Sequence, residues 1–216
     1  MSVISAVTTL CLIFLPAFYA PAQGFEGRMA RVADPAYQVR AWVYLVHPFL
    51  VFVAALGIGL VTLRRSPVLA LGGLLGFLLW AFNEAAQQTL TLFAFDAWRT
   101  AWPTADAATR EAIRTNVMLY DGIWDSLYML LLIGFAVGNA LLGAAAWGDR
   151  LLDRTVSACL YAACSLTVAL FIQQLGVTVL PDQLLQWAYP IIQPLGRVLI
   201  GVWLWQWSTG RNPQRA

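Results

Sequence analysis

Residues 120–143 read YDGIWDSLYMLLLIGFAVGNALLG, and this stretch decides how the rest of the chain is read. A helix needs about 20 mostly apolar residues to cross the roughly 30 Å hydrocarbon core of a bilayer. The segment 119–147 supplies them, with polar residues confined to one end. Asp121, Asp125 and Tyr128 stand at i, i+4 and i+7, a single stripe on a helix. Toward the other end, Gly134 and Gly138 form a small-xxx-small pair with Asn139 beside it and Gly143 beyond. Small residues at that spacing let helix backbones approach closely in lipid, where van der Waals contact replaces the hydrophobic drive. They suit either contacts within one bundle or a homodimer face at Gly134/Gly138.

Working outward, five further stretches have the same apolar character: about 2–21, 41–63, 67–94, 154–180 and 186–207. The breaks carry turn residues, among them Arg64-Arg65-Ser66-Pro67, Gly148-Asp149-Arg150 and Pro181-Asp182. Composition agrees: of 216 residues 60% are hydrophobic and only 11% charged, with a mean hydropathy of +0.69. Soluble domains carry about 25% charge. The expected fold is therefore all-α: one integral domain, 1–216, with six transmembrane helices. Residues 2–22 end in Ala20-Pro21-Ala22, the shape of a signal-peptidase site, but no basic residue precedes the apolar run. A retained first helix is the favoured reading and a signal peptide the alternative.

The net charge of +2 and the scattered arginines offer no basic patch for nucleic acid. Lysine is absent, which excludes Schiff-base chemistry on a lysine. Cys11, Cys159 and Cys164 lie in apolar segments without a CxxC pair and read as packing residues.

Arg64, Arg65, Arg150, Arg154, Arg211 and Arg215 sit in short turns or the tail against helix ends, which points to N-in, C-in in a bacterial cytoplasmic membrane. The longer connections, 22–40 and 95–118, would then lie outside. Within 95–118, TADAATREAIRTN has a cap at Thr104 or Asp106 and follows Phe95, Trp98 and Trp102. This predicts a short interfacial helix with tryptophans at headgroup depth, or an ordinary helical loop.

The polar residues share a level. In FNEAAQQ, Glu84, Gln87 and Gln88 occupy one helical face with Trp80 a turn earlier. Counting from Pro67, Glu84 stands about 26 Å along its helix, in the outer third of a bilayer. Tyr44 and His47 on the second helix reach that depth, as do Asp121, Trp124, Asp125 and Tyr128 on the fourth and Gln173 on the fifth. On the sixth, Tyr189, Gln193 and Arg197 do the same, interrupted by Pro190 and Pro194. A charge at a helix centre costs about 2.5–3.5 kcal/mol on insertion scales, so Arg197 should face inward and pair with Glu84, Asp121 or Asp125.

Two uses fit: a network that fixes helix register, or a pocket with convergent polar groups. The leading expectation is a non-catalytic protein holding a small apolar or amphipathic ligand (a lipid, isoprenoid or pigment) or a partner subunit. Trp80 and Trp124 would supply contact area, while Glu84, Asp125, Gln193 and Arg197 orient a polar head. The rivals are a lipid- or isoprenoid-processing enzyme with Glu84 or Asp125 as acid or base, and a proton-coupled carrier. A metal held by His47, Glu84, Asp121 and Asp125 lacks HxxxH or ExxH spacing, and no cofactor is indicated.

The acid in AFNEAAQQ, the aspartate opening YDGIWDSLYMLLLIGFAVGNALLG and the ending RVLIGVWLWQW give the chain a further likeness. On these it resembles an uncharacterised bacterial family of six-helix membrane proteins, known only as a domain of unknown function. The resemblance implies the six-span plan over nearly the whole chain and no established activity.

Overall fold

The computed structural model describes residues 1–209, without the side chains of Asp182, Gln183, Leu185, Gln186 and Tyr189. The tail arginines Arg211 and Arg215 lie outside the described residues. All regular structure among those described is helical: α1 Ser2–Phe14, α2 Gly24–Ala30, α3 Pro35–Thr62, α4 Pro67–Thr89, α5 Asp96–Ala101, α6 Ala107–Ala146, α7 Leu151–Gln174 and α8 Asp182–Ser208.

Helix starts follow the local chemistry. Pro35 and Pro67 occupy first-turn positions, where a missing N–H costs nothing. Asp34 caps α3 by accepting from the backbone N–H groups of Ala36 and Tyr37 at 2.8 and 3.2 Å. Asp106 caps α6 through the Thr109 N–H at 2.8 Å.

Four helical stretches are long and apolar enough to cross a membrane: Pro35–Thr62, Pro67–Thr104, Ala107–Ala146 and Leu151–Gln174. The first expected span is shorter, ending as a 3-10 turn at Leu15–Phe18, where Pro16 interrupts the α-helical ladder. The last expected span, α8, is 27 residues long but is broken up by Gln193, Arg197, Gln206 and two internal prolines.

The 95–118 connection differs from the expected flat helix. A π-helical stretch, Leu90–Phe95, carries α4 straight into α5. The run beginning at Ala107 continues without a break into α6, a 40-residue helix. Between Asp106 and Ala146 there is neither proline nor a capping stop, so helix propagation is favoured throughout.

The six long helices close a ring in chain order. α1 packs on α3, α3 on α4, α4 on α6, α6 on α7, α7 on α8 and α8 back on α1. The α4/α6 crossing is the tightest. A Cβ on Gly76 would lie 2.5 Å from the Gly138 backbone nitrogen, and one on Gly134 would lie 2.7 Å from the Trp80 nitrogen. Gly134 and Gly138 are thus buried against α4, so this small-residue face packs two helices of the chain together.

Two apolar clusters result. The larger fills the ring toward its tight-turn end, with Ile58, Phe77, Phe135, Leu142, Val156 and Trp203 among its members. A smaller one, Met29, Phe95, Trp102, Ile113, Val117 and Tyr120, ties the loop-rich end together.

Candidate functional site

Between the clusters lies a cavity of about 330 Å³ to which all six long helices contribute. Its wall includes Tyr44 and His47 from α3; Trp80, Glu84, Gln87 and Gln88 from α4; Trp124 and Tyr128 from α6; and Gln193 and Arg197 from α8. Thr9 and Leu12 of α1 and Leu170 of α7 complete it. Helical periodicity explains the α4 contribution, because residues 80, 84, 87 and 88 share one face. The π-helical stretch then keeps Thr91 and Phe95 buried on the same side. Pro48, within α3 next to His47, removes one ladder hydrogen bond where the helix meets the cavity.

Most groups in this wall are tied to a neighbour. His47 shares a 2.8 Å hydrogen bond between its Nδ1 and the Thr8 hydroxyl and stands edge-on to Trp80. Gln87 donates to the Trp124 carbonyl at 2.8 Å, and Trp124 stacks on Tyr128 at 5.5 Å. Arg197 donates to Gln193 Oε1 at 2.9 Å; of the three acids expected to pair with it, Asp121 is held by Arg28, Asp125 lines the neighbouring cavity, and Glu84 feels its charge through space. Glu84 is the exception. It is only 6% exposed and lines the cavity, and it makes no hydrogen bond or ion pair among the described residues. An unpartnered buried carboxyl group is costly, and native structures leave one only where something offsets it.

A second cavity, about 550 Å³, lies toward the loop-rich end and shares Tyr44, Gln88 and Trp124 with the first. Asp121 and Asp125 line this vestibule instead of the deeper chamber, one to two turns further along α6. Asp121 makes a two-pronged ion pair with Arg28 at 2.7 and 3.0 Å. That hydrogen-bonded carboxylate holds the Arg28 guanidinium above its ordinary value. Asp125 is exposed at the rim. Gln173 stands at the end of α7 and lines neither cavity. The side chain of Tyr189 lies outside those described. His47, Glu84, Asp121 and Asp125 are divided between the two cavities, and no metal-binding cluster of three such residues occurs among the described residues.

What the sequence reading missed are the vestibule's cations. Arg28, Arg31, Arg40 and Arg99 come from α2, the turn after it, α3 and α5. Arg99 is 4% exposed, donates to Asp96 and to the Tyr37 hydroxyl, and lies 3.9 Å over the Phe95 ring. Arg31 and Arg40 lie over the rings of Tyr19 and Tyr44 at 5.6 and 5.1 Å. The only available signal was the aromatic richness of segments 19–44 and 93–102, which does not specify which ring meets which guanidinium. Compared with protein-family models, curated proteins and solved structures, the chain matches none, so its likeness to a six-helix family rests on the quoted motifs alone.

Proposed function

We propose that the chain is an integral membrane protein whose ring of six helices holds a small amphipathic molecule, with no chemistry done on it. The four apolar helices of membrane-crossing length support the insertion. So does the ring's outer surface, where Leu60, Val68, Leu75, Phe82, Val137 and Leu151 are exposed. The turn arginines favour a cytoplasmic location for the tight-turn end, with both termini inside a bacterial cytoplasmic membrane and the cavities in the outer half. In this reading α1 and α8 serve as spans through their contacts with the other helices.

The observation that carries the proposal is the cavity itself. Nine residues of shared depth converge on one chamber, walled by Trp80, Trp124, Phe135 and aliphatic groups, with Glu84 inside it making no hydrogen bond or ion pair among the described residues. Apolar walls with a few fixed polar groups are the general form of a small-molecule site. Trp80 and Trp124 would contact the apolar part, and Glu84 would accept a hydrogen bond from a ligand hydroxyl or amine.

Native mass spectrometry of the purified protein tests this. A stoichiometric organic adduct that is lost in Trp80→Ala and weakened in Glu84→Gln, with both variants folded, is expected. Empty protein that also fails to take up any single-chain lipid or isoprenoid would overturn it. Turnover of the adduct abolished by Glu84→Gln would instead favour the enzyme, since Glu84 is the one acid placed inside the chamber. Proton-coupled flux in proteoliposomes would favour the carrier.

A further inference from the structure

The vestibule above the chamber concentrates positive charge in a way that its acids do not balance. Of its four arginines, Arg28 is held by Asp121 and Arg99 by Asp96. Neither Arg31 nor Arg40 has a carboxylate within ion-pair distance among the described residues. Both are held from one side by a tyrosine ring instead. A ring face fixes the plane of a guanidinium without consuming its edge donors, which stay available for an anion. Arg40 also gives one long 3.4 Å hydrogen bond to the Leu12 carbonyl, from its Nε. The remaining acid in this wall is Asp125, exposed at the rim.

Resting on the amphiphile-binding reading above, we infer that the vestibule binds a phosphate group, so that the molecule in the chamber is a phosphorylated amphiphile. A phosphate monoester carries about −1.5 to −2 charge at neutral pH and three acceptor oxygens. Two guanidiniums on separate elements suit that tetrahedral anion, whereas a single arginine satisfies a carboxylate. The two cavities share Tyr44, Gln88 and Trp124, so a head in one and a chain in the other belong to one molecule.

The test uses the full-length protein in nanodiscs of phosphatidylcholine, titrated separately with dodecyl phosphate, dodecanol and inorganic phosphate. The double variant Arg31→Gln/Arg40→Gln removes the two unpaired cations without stranding an acid. Arg110→Gln/Arg114→Gln removes the same charge from the neighbourhood of Trp102, outside the vestibule. Dodecyl phosphate should bind more tightly than dodecanol. The vestibule pair should weaken it about tenfold to a hundredfold, with dodecanol unchanged and the control pair without effect. Competition by inorganic phosphate would make the free ion a second source of the head group, and its absence would restrict the site to lipid phosphates. Equal, arginine-independent binding of dodecanol and dodecyl phosphate overturns this inference while the binder reading stands. Binding of neither overturns both.

Discussion

The two ends of the ring solve opposite problems with the same helices. At the tight-turn end the backbones touch: Gly76, Gly134 and Gly138 bring α4 and α6 together, and the side chains beyond them enclose only a small cavity of about 50 Å³ beside Ile58, Phe77 and Leu160. Its buried charge among the described residues, Asp153, is fully engaged. Asp153, 1% exposed, accepts from Arg150 at 2.6 and 3.1 Å and from Trp203 Nε1 at 2.6 Å. At the loop-rich end the helices splay around two cavities, arginines rest on aromatic rings, and Glu84 makes no hydrogen bond or ion pair among the described residues. The contrast teaches that stability is concentrated at one end, and the other can therefore tolerate space and unsatisfied chemistry.

Asp153→Ala should have the largest effect, because it leaves a half-buried guanidinium and a buried indole N–H without their acceptor. Breaking such a pair costs about 3–5 kcal/mol, read as a drop in thermal midpoint in detergent. The matching change at the other end, Asp121→Asn, breaks a pair whose members are 36% and 42% exposed. It should cost under about 1 kcal/mol. If the two substitutions cost the same, the proposed division of stability is wrong.

Glycine replacement sharpens the comparison further. Gly76→Ala places a methyl group against the Gly138 and Gly134 backbones, which cannot rotate away, and should destabilise by about 1–3 kcal/mol. Gly122→Ala, in α6 at the loop-rich end, meets nothing within 4 Å. It should instead stabilise by up to about 1 kcal/mol through helix propensity. Opposite signs for one chemical change are the expected result, and a loss of stability in both would remove the distinction.

Glu84→Gln follows, with a smaller effect on folding. The carboxyl group has no hydrogen bond to lose among the described residues, so stability should stay within about 1 kcal/mol of the parent, and the change should be felt in ligand retention. A collapse of the fold would assign Glu84 to architecture.

The smallest effect is at the α6 cap. The Thr109 backbone N–H and hydroxyl hold the Asp106 carboxylate below its ordinary range. A lowered folded-state value means that the cap contributes at pH above the unfolded aspartate value and is lost as pH falls through the folded one. Protection of the Thr109 amide, taken relative to its intrinsic exchange rate, should therefore fall only in acid, and Asp106→Asn should remove that dependence.

Much of the architecture was legible because lipid imposes a length and a composition on any helix that crosses it. The start of α3 at Pro35, the start of α4 at Pro67 and the α6 cap at Asp106 were each written locally. The flat interfacial helix does not form as a separate element because 107–118 carries no local stop and runs on into α6, with Ile113 and Val117 packed beside Met29 and Trp102. For the chamber, depth along each helix brought Tyr44, His47, Trp80, Glu84, Gln87, Trp124, Tyr128, Gln193 and Arg197 to one level, and the structure gathers them. Depth alone could not separate Asp121 and Asp125 from Glu84, because a turn or two along α6 is enough to change cavities.

The sequence by itself determined the helical class, the positions of the apolar runs, and the height at which polar groups occur, since each follows from hydrogen bonding and hydropathy along one continuous segment. Only the tertiary structure decided which guanidinium meets which carboxylate or ring, and that Glu84 makes no hydrogen bond or ion pair among the described residues. Those outcomes depend on rotation and approach between segments distant in sequence, such as Arg28 with Asp121, and no local pattern encodes them.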